Sequence, residues 1–174
     1  MEDLLKLIRV VPDFPKPGIG FFDITTLLKD AEGFRQVIDE FYQHYKDVKI
    51  DRIAGIESRG FVFASALAYK MGKGLILLRK PGKLPAEKYR AEYSLEYGTD
   101  AVEMHTDAVE KGMSILVIDD LLATGGTAGA ACVLVEKAGG TVAGVGFVIE
   151  LAFLKGRDKL EGYEVFVIIK VESE

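Results

Sequence analysis

The chain has 174 residues, 49% of them hydrophobic and 28% charged, the balance and length of one soluble domain spanning 1–174 rather than of a disordered or fibrous chain. Its formal net charge of -5 argues against broad binding to nucleic acid or a membrane surface, both of which are polyanionic. No apolar run approaches the roughly eighteen residues that cross a bilayer, and the start MEDLLKLIRVV lacks a basic leader followed by an apolar core, so a cytoplasmic location is expected.

Residues Pro12 to Gly20, PDFPKPGIG, hold three of the five prolines and read as an ordered loop leading to Phe21, Phe22 and Ile24. From Phe34, the positions Val37, Ile38, Phe41, Tyr42 and Tyr45 follow helical spacing and predict a surface helix packed by one stripe. Short Ile-, Val- and Leu-rich runs at Ile53 to Ile56, Leu75 to Leu78, Ser114 to Ile118 and Val142 to Ile149 predict buried strands. Helical patterns occupy Gly60 to Met71 and Thr127 to Ala138, and a last strand is expected over Val165 to Val171. This alternation is the signature of an α/β fold with a mostly parallel central sheet flanked by helices. The sole cysteine, Cys132, excludes an internal disulfide and reads as a buried helical thiol. His44 is expected on the solvent side of the first long helix and His105 in a polar or packing role; two distant histidines without a C-x-x-C motif give no zinc pattern.

The stretch Pro81 to Thr106 breaks the alternation. It has no helical period, and alternating runs near Ala91 to Leu95 and Ala101 to Thr106 suggest an extended hairpin. An excursion this long in a compact domain calls for a functional account. Just before and within it, RKPGKLPAEKYR (Arg79 to Arg90) sets five basic residues against Glu87 alone, either a solvated loop or a clamp for a small anion.

Asp119 and Asp120 are expected to emerge at the C-terminal end of a strand, the edge where open α/β sheets bind ligands. The following LLATGGT places two threonine hydroxyls around Gly125 and Gly126 ahead of an apolar helix, where inward-turned N–H groups and the helix start suit a phosphate monoester. The carboxylates would repel that phosphate, so ribose hydroxyls or a hydrated Mg²⁺ on a pyrophosphate are suitable partners. The loop is neither a P-loop nor a Rossmann G-x-G-x-x-G. Glu57, Ser58, Arg59 and Gly60 repeat the strand-to-helix arrangement and offer a pyrophosphate seat, with a local Arg59–Glu57 pair as the alternative.

With these residues in view, the chain resembles the adenine branch of the type I phosphoribosyltransferases over essentially its whole length. The motifs are FPKPGIGFFDITTLL (Phe14 to Leu28), GIESRGF (Gly55 to Phe61), RKPGKLP (Arg79 to Pro85), YSLEYG (Tyr93 to Gly98), IDDLLATGGT (Ile118 to Thr127) and ELAFLKGR (Glu150 to Arg157). The resemblance implies a pentosyltransferase of purine salvage that moves phosphoribosyl from 5-phosphoribosyl 1-pyrophosphate (PRPP) to adenine, giving AMP and pyrophosphate. It implies an N-terminal base-binding cover over 1–33 and a flexible catalytic lid over 81–106. Ala123, Thr124, Gly125, Gly126 and Thr127 would hold the 5-phosphate, and Asp119 and Asp120 the ribose hydroxyls. Ser58, Arg59 and Lys83 belong by resemblance to the pyrophosphate side, with Arg79 reaching it across a homodimer interface. Glu96 and Tyr97 would reach the reacting centre on the lid, alongside Arg59 and Lys83. Phe21, Phe22 and Leu151 are implied at the base, with Phe153 beside Leu151 as a further lining candidate. Phe22 stands where the family commonly has arginine, so that side-chain contact is lost here and recognition would rest on backbone groups. Mg²⁺ is implied as a companion of PRPP, held by substrate and water rather than by a permanent protein site. The alternatives are a transferase for a 6-oxopurine (guanine, hypoxanthine or xanthine) and a non-catalytic sugar-phosphate sensor.

Overall fold

The computed structural model describes residues 2–94 and 98–173. Its elements run α1 (Glu2–Lys6), β1 (Arg9–Val11), β2 (Phe21–Asp23), α2 (Thr25–Leu28), α3 (Ala31–Tyr45), β3 (Arg52–Ile56), α4 (Arg59–Met71), β4 (Gly74–Leu78), β5 (Lys88–Ser94), β6 (Thr99–His105), β7 (Ser114–Leu122), α5 (Gly126–Lys137), β8 (Thr141–Leu151) and β9 (Val165–Val171), with two 3-10 turns over Ala152–Leu154 and Gly156–Leu160.

Five strands form one sheet in the order β4-β3-β7-β8-β9, and every neighbouring pair is parallel. Apolar residues on successive strand positions face opposite sides, so β7 serves two cores. Leu116 and Ile118 pack with Phe41, Phe63 and Leu67 from α3 and α4. Ile115 and Val117 pack with Cys132 and Leu134 from α5 and with Met104 from β6. Each fully buried side chain of this kind contributes about 1.5–3 kcal/mol, which is why the doubly covered strands read as continuous apolar runs. Helix α3 begins where Asp30 accepts a hydrogen bond from Gly33 N at 2.7 Å, a side-chain cap for an otherwise unpaired donor.

Two strands differ from the sequence expectation. β4 is an edge strand rather than a fully buried one: Ile76 and Leu78 are buried, whereas Leu75 and Leu77 are 39% and 41% exposed. β7 continues beyond Ile118 to Leu122, because β8 runs on beside it and pairs Asp119 with Phe147 and Leu121 with Ile149. The two aspartates therefore lie inside a paired strand, not in the turn after it.

The excursion does form an antiparallel hairpin, with Lys88 opposite His105 and Ser94 opposite Thr99. Its stem is part of the second core: Ala91, Val102 and Met104 are buried against it. Glu96 and Tyr97 lie outside the described residues. At the N-terminus, β1 and β2 pair as a short antiparallel ribbon around the proline-rich loop.

Candidate active site

The chain enters the sheet at β3, moves out to β4 and returns to the other side of β3 at β7. Connections from β3 and β7 thus diverge to opposite sides, and their C-terminal ends border the crevice where doubly wound sheets take ligands. Two strand-to-helix turns meet there. The first, from β3 into α4, carries Glu57, Ser58 and Arg59; the second, from β7 into α5, carries Ala123 to Thr127 shortly after Asp119 and Asp120 near the end of the strand.

A cavity of ≈ 190 Å³ is lined by Glu57, Ser58, Arg59, Lys80, Asp119 and Asp120 among others. It shares Asp119, Leu121 and Thr127 with a second of ≈ 80 Å³ lined by Ala123, Thr124, Gly125 and Gly126. The sequence-predicted phosphate turn, the acid pair and Ser58 with Arg59 therefore border one continuous site. Lys80, which sequence reasoning passed over, joins them; the basic island was its signal.

The turn Ala123–Thr127 is held from behind. Gly125 has φ +76°, and a Cβ on it would stand 2.2 Å from the carbonyl oxygen of Gly156, so only glycine fits. Arg157 anchors the Gly156 turn by donating from Nε and Nη2 to the two oxygens of buried Glu150 at 2.7 and 2.9 Å. Gly125 gives α5 no side-chain cap, leaving the first N–H groups of the helix to an anion.

Burial, and then the neighbouring charge of Asp120, raises Asp119 well above the ordinary carboxylate range. Burial also raises Asp120, against the pull of Arg59. Arg59 Nε stands 2.8 Å from Asp120 Oδ2, yet among the described residues that buried oxygen has no hydrogen-bond partner; the contact is an ion pair without an aligned N–H. A buried carboxylate oxygen left in this state suits a donor hydroxyl or a cation brought by a ligand. Asp119 Oδ1 accepts from Asp120 N at 2.9 Å.

Arg59 does not pair with Glu57. That carboxylate accepts from Arg79 Nε at 3.2 Å and from Lys80 N at 2.8 Å. Burial pushes Glu57 up, but these donors outweigh it and hold it below its ordinary value. Lys83 is exposed, and its carbonyl accepts from Arg79 Nη1 at 3.4 Å.

On the other side, Phe22 is buried in the first core and turns only its carbonyl to the site, where it accepts from Arg59 Nη1 at 3.2 Å. Phe21 is half-buried, lies under the Arg59 guanidinium at 5.0 Å and meets Phe14 edge-to-face at 5.1 Å. Leu151 is buried in the first core and Phe153 packs against it. Away from the site, His44 stacks on Phe166 at 3.9 Å and contacts Glu164 Oε1 at 2.9 Å, while Cys132 is fully buried, its thiol pushed up to about 12 by burial.

Residues 23–172 match the family model described as phosphoribosyl transferase domain. An adenine phosphoribosyltransferase of Solibacter usitatus is 60% identical over 99% of this chain and 100% of its own length. The chain belongs to the adenine phosphoribosyltransferases. The corresponding protein of Chloroflexus aurantiacus is 56% identical over 97% of this chain and 98% of its own. The crystal structure of adenine phosphoribosyltransferase from Thermoanaerobacter pseudethanolicus superposes with a TM-score of 0.95 at 50% identity, covering 98% of this chain and 99% of that one. That of the Saccharomyces cerevisiae enzyme, complexed with an imino-altritol bisphosphate and adenine, gives 0.90 at 40% identity over 96% and 97%. As a type I adenine phosphoribosyltransferase, the chain is an enzyme that converts adenine and PRPP to AMP and pyrophosphate. Among the described residues no group of three His, Cys, Asp or Glu is placed to hold a metal, and no helix is long and apolar enough to cross a membrane.

Proposed function

We propose that the joined cavities divide PRPP between them. The turn Ala123–Thr127 takes the 5-phosphate, Asp119 and Asp120 take the ribose hydroxyls, and Ser58, Arg59, Lys80 and Lys83 take the pyrophosphate. The observation that carries this is Asp120 Oδ2, buried between the phosphate turn and the cations and, among the described residues, without a hydrogen-bond partner. As the bond from the anomeric carbon to pyrophosphate breaks, positive charge grows on the ribose and negative charge on the leaving group. A carboxylate pair beneath the first and fixed cations beside the second stabilise both.

The same acid pair fits Mg²⁺ that takes most of its ligands from substrate and water. When bound with PRPP, the ion supplies charge neutralisation of the pyrophosphate. Phe21, in edge contact with Phe14, is the aromatic we assign to stacking on adenine, while Phe22 contributes backbone rather than side chain. Leu151 backs that pocket from the core. Glu96 is assigned to accept or orient a ring proton of adenine, with Tyr97 ordering the lid. The enzyme acts in the cytoplasm as a homodimer, a reading that the exposed Leu75 and Leu77 of the β4 edge support. In it, Arg79 serves the pyrophosphate across the interface.

The direct test is AMP formation from adenine, PRPP and Mg²⁺ by the Asp119→Asn, Asp120→Asn double variant. We expect at least about a hundredfold loss of kcat/KM for PRPP; ordinary turnover sinks the ribose assignment. Sedimentation of the full chain, with a monomer as the adverse result, tests the homodimer.

A further inference from the structure

Lys80 enters the site from the first residues after β4, and its ammonium is already engaged. Nζ donates to Tyr93 Oη at 2.7 Å and to Asp100 Oδ2, and Tyr93 Oη donates to the same Asp100 oxygen at 3.0 Å. The three groups close a triangle between the end of β4 and the two strands of the hairpin. Tyr93 is fixed in turn by the phosphate turn: a Cβ on Gly126 would stand 2.8 Å from its Cδ2, and Lys80 Nζ lies 5.4 Å from its ring centroid. The residue between β4 and the hairpin that meets the pocket is therefore held by a carboxylate and a phenol outside the pocket's own lining.

An ammonium has three N–H donors and no acceptor. Two are spent on Asp100 and Tyr93, which leaves one for the pocket lined by Ser58, Arg59, Asp119 and Asp120. Burial alone would favour loss of the Lys80 proton, but the bonds to Asp100 and Tyr93 outweigh it and keep the charge in place. A free lysine side chain would spread that charge over many rotamers, at an entropic cost on binding.

We propose that Asp100 and Tyr93 are positioning residues for the transfer reaction, orienting Lys80 so that its remaining N–H meets the pyrophosphate end of PRPP. The proposal rests on the pyrophosphate reading of this cavity. It also makes the hairpin stem part of the donor site through Lys80, independently of what the hairpin tip does.

The test is a double-mutant cycle read in steady-state kinetics with adenine, PRPP and Mg²⁺. Asp100→Asn is expected to raise KM for PRPP about tenfold, as befits loss of a charge-assisted bond, with KM for adenine within about twofold of the parent. Tyr93→Phe, which keeps the ring against Gly126, is expected to show a smaller change of the same kind. In a Lys80→Met background, Asp100→Asn should add nothing, and Asp100→Glu in the parent should recover part of the loss. An equal effect of Asp100→Asn with and without Lys80, or an effect on KM for adenine as large as on PRPP, overturns the positioning role while leaving the pocket reading intact. Lys80→Met without effect on KM for PRPP overturns the pocket reading at Lys80 and the proposal with it.

Discussion

The two strand-to-helix junctions that meet at the candidate active site are built from the same parts and left in opposite electrostatic states. In the β3–α4 turn, Glu57 is saturated: Arg79 and the Lys80 backbone hold it ionised. At the β7–α5 junction, Asp119 and Asp120 are crowded together near the end of the strand, and among the described residues one Asp120 oxygen has no hydrogen-bond partner. One turn is a finished piece of structure whose acid sets the direction of neighbouring cations. The other is left with a buried acceptor to fill, which on the proposed reading is where binding energy of the substrate is most usefully concentrated. The comparison teaches that a carboxylate in this crevice is assigned by what already satisfies it, not by its position after a strand.

The largest expected effect comes from distorting the unfinished turn. Gly125→Val places side-chain atoms where the Gly156 carbonyl stands and demands a φ that valine resists. Because reacting groups displaced by about 1 Å cost roughly a hundredfold, kcat/KM for PRPP should fall by at least about that factor. The circular dichroism spectrum should remain that of an α/β protein. Retention of parental kinetics would show that the turn tolerates displacement and is not the phosphate seat.

Second in size is the hairpin tip. Removing a proton acceptor of the assigned kind costs about a hundredfold or more, so Glu96→Gln should lower kcat about a hundredfold with KM for PRPP little changed. A loss carried by KM for PRPP instead would move Glu96 to the donor side. Next is the finished turn, where Glu57→Gln keeps an acceptor for Lys80 N but gives up the charge that orients Arg79. About a tenfold rise in KM for PRPP is expected, the scale of a charge-assisted hydrogen bond. Unchanged kinetics would reduce Glu57 to a structural acid.

Much of this was legible in the sequence because it is local. Strands β3, β7, β8 and β9 announce themselves as apolar runs, and the turn Ala123–Thr127 has its glycines within a few residues of the acid pair. The hairpin was visible as alternation. What was not legible depends on contacts between distant segments. Arg59 pairs with Asp120 rather than its neighbour Glu57 because α4 starts beside β7, an adjacency that only strand order supplies. Lys80 was one basic residue among five until Asp100, 20 residues on, marked it out. The Glu150–Arg157 clamp spans the motif ELAFLKGR, but its task, holding Gly156 against Gly125, has no sequence signature. That the Phe22 side chain turns into the core was not legible either, because strand β2 is too short to reveal which of its faces is inward.

The smallest effect is the one that separates the two turns most cleanly, because it reverses sign between them. Glu57 has a folded-state pKa below its ordinary value of 4.5, so its ionised form stabilises the fold. That contribution is present above the unfolded pKa and is lost as pH falls through the folded one. Asp119 has a folded-state pKa raised well above 3.8; its native form holds the proton more tightly, so the fold loses stability as pH rises from the unfolded value through the folded one. At pH 7, Glu57→Gln should therefore lower the thermal midpoint and Asp119→Asn should raise it. Both differences should shrink as the buffer is taken below about pH 4, where the unfolded carboxylates are protonated as well. Asp119→Asn would then be a less active enzyme more stable than its parent at neutral pH, as expected if the acid pair is kept for the substrate at the expense of the fold. A parallel fall in both variants at pH 7 would mean that Asp119 is satisfied within the protein, and that the two turns do not differ in the way their geometry indicates.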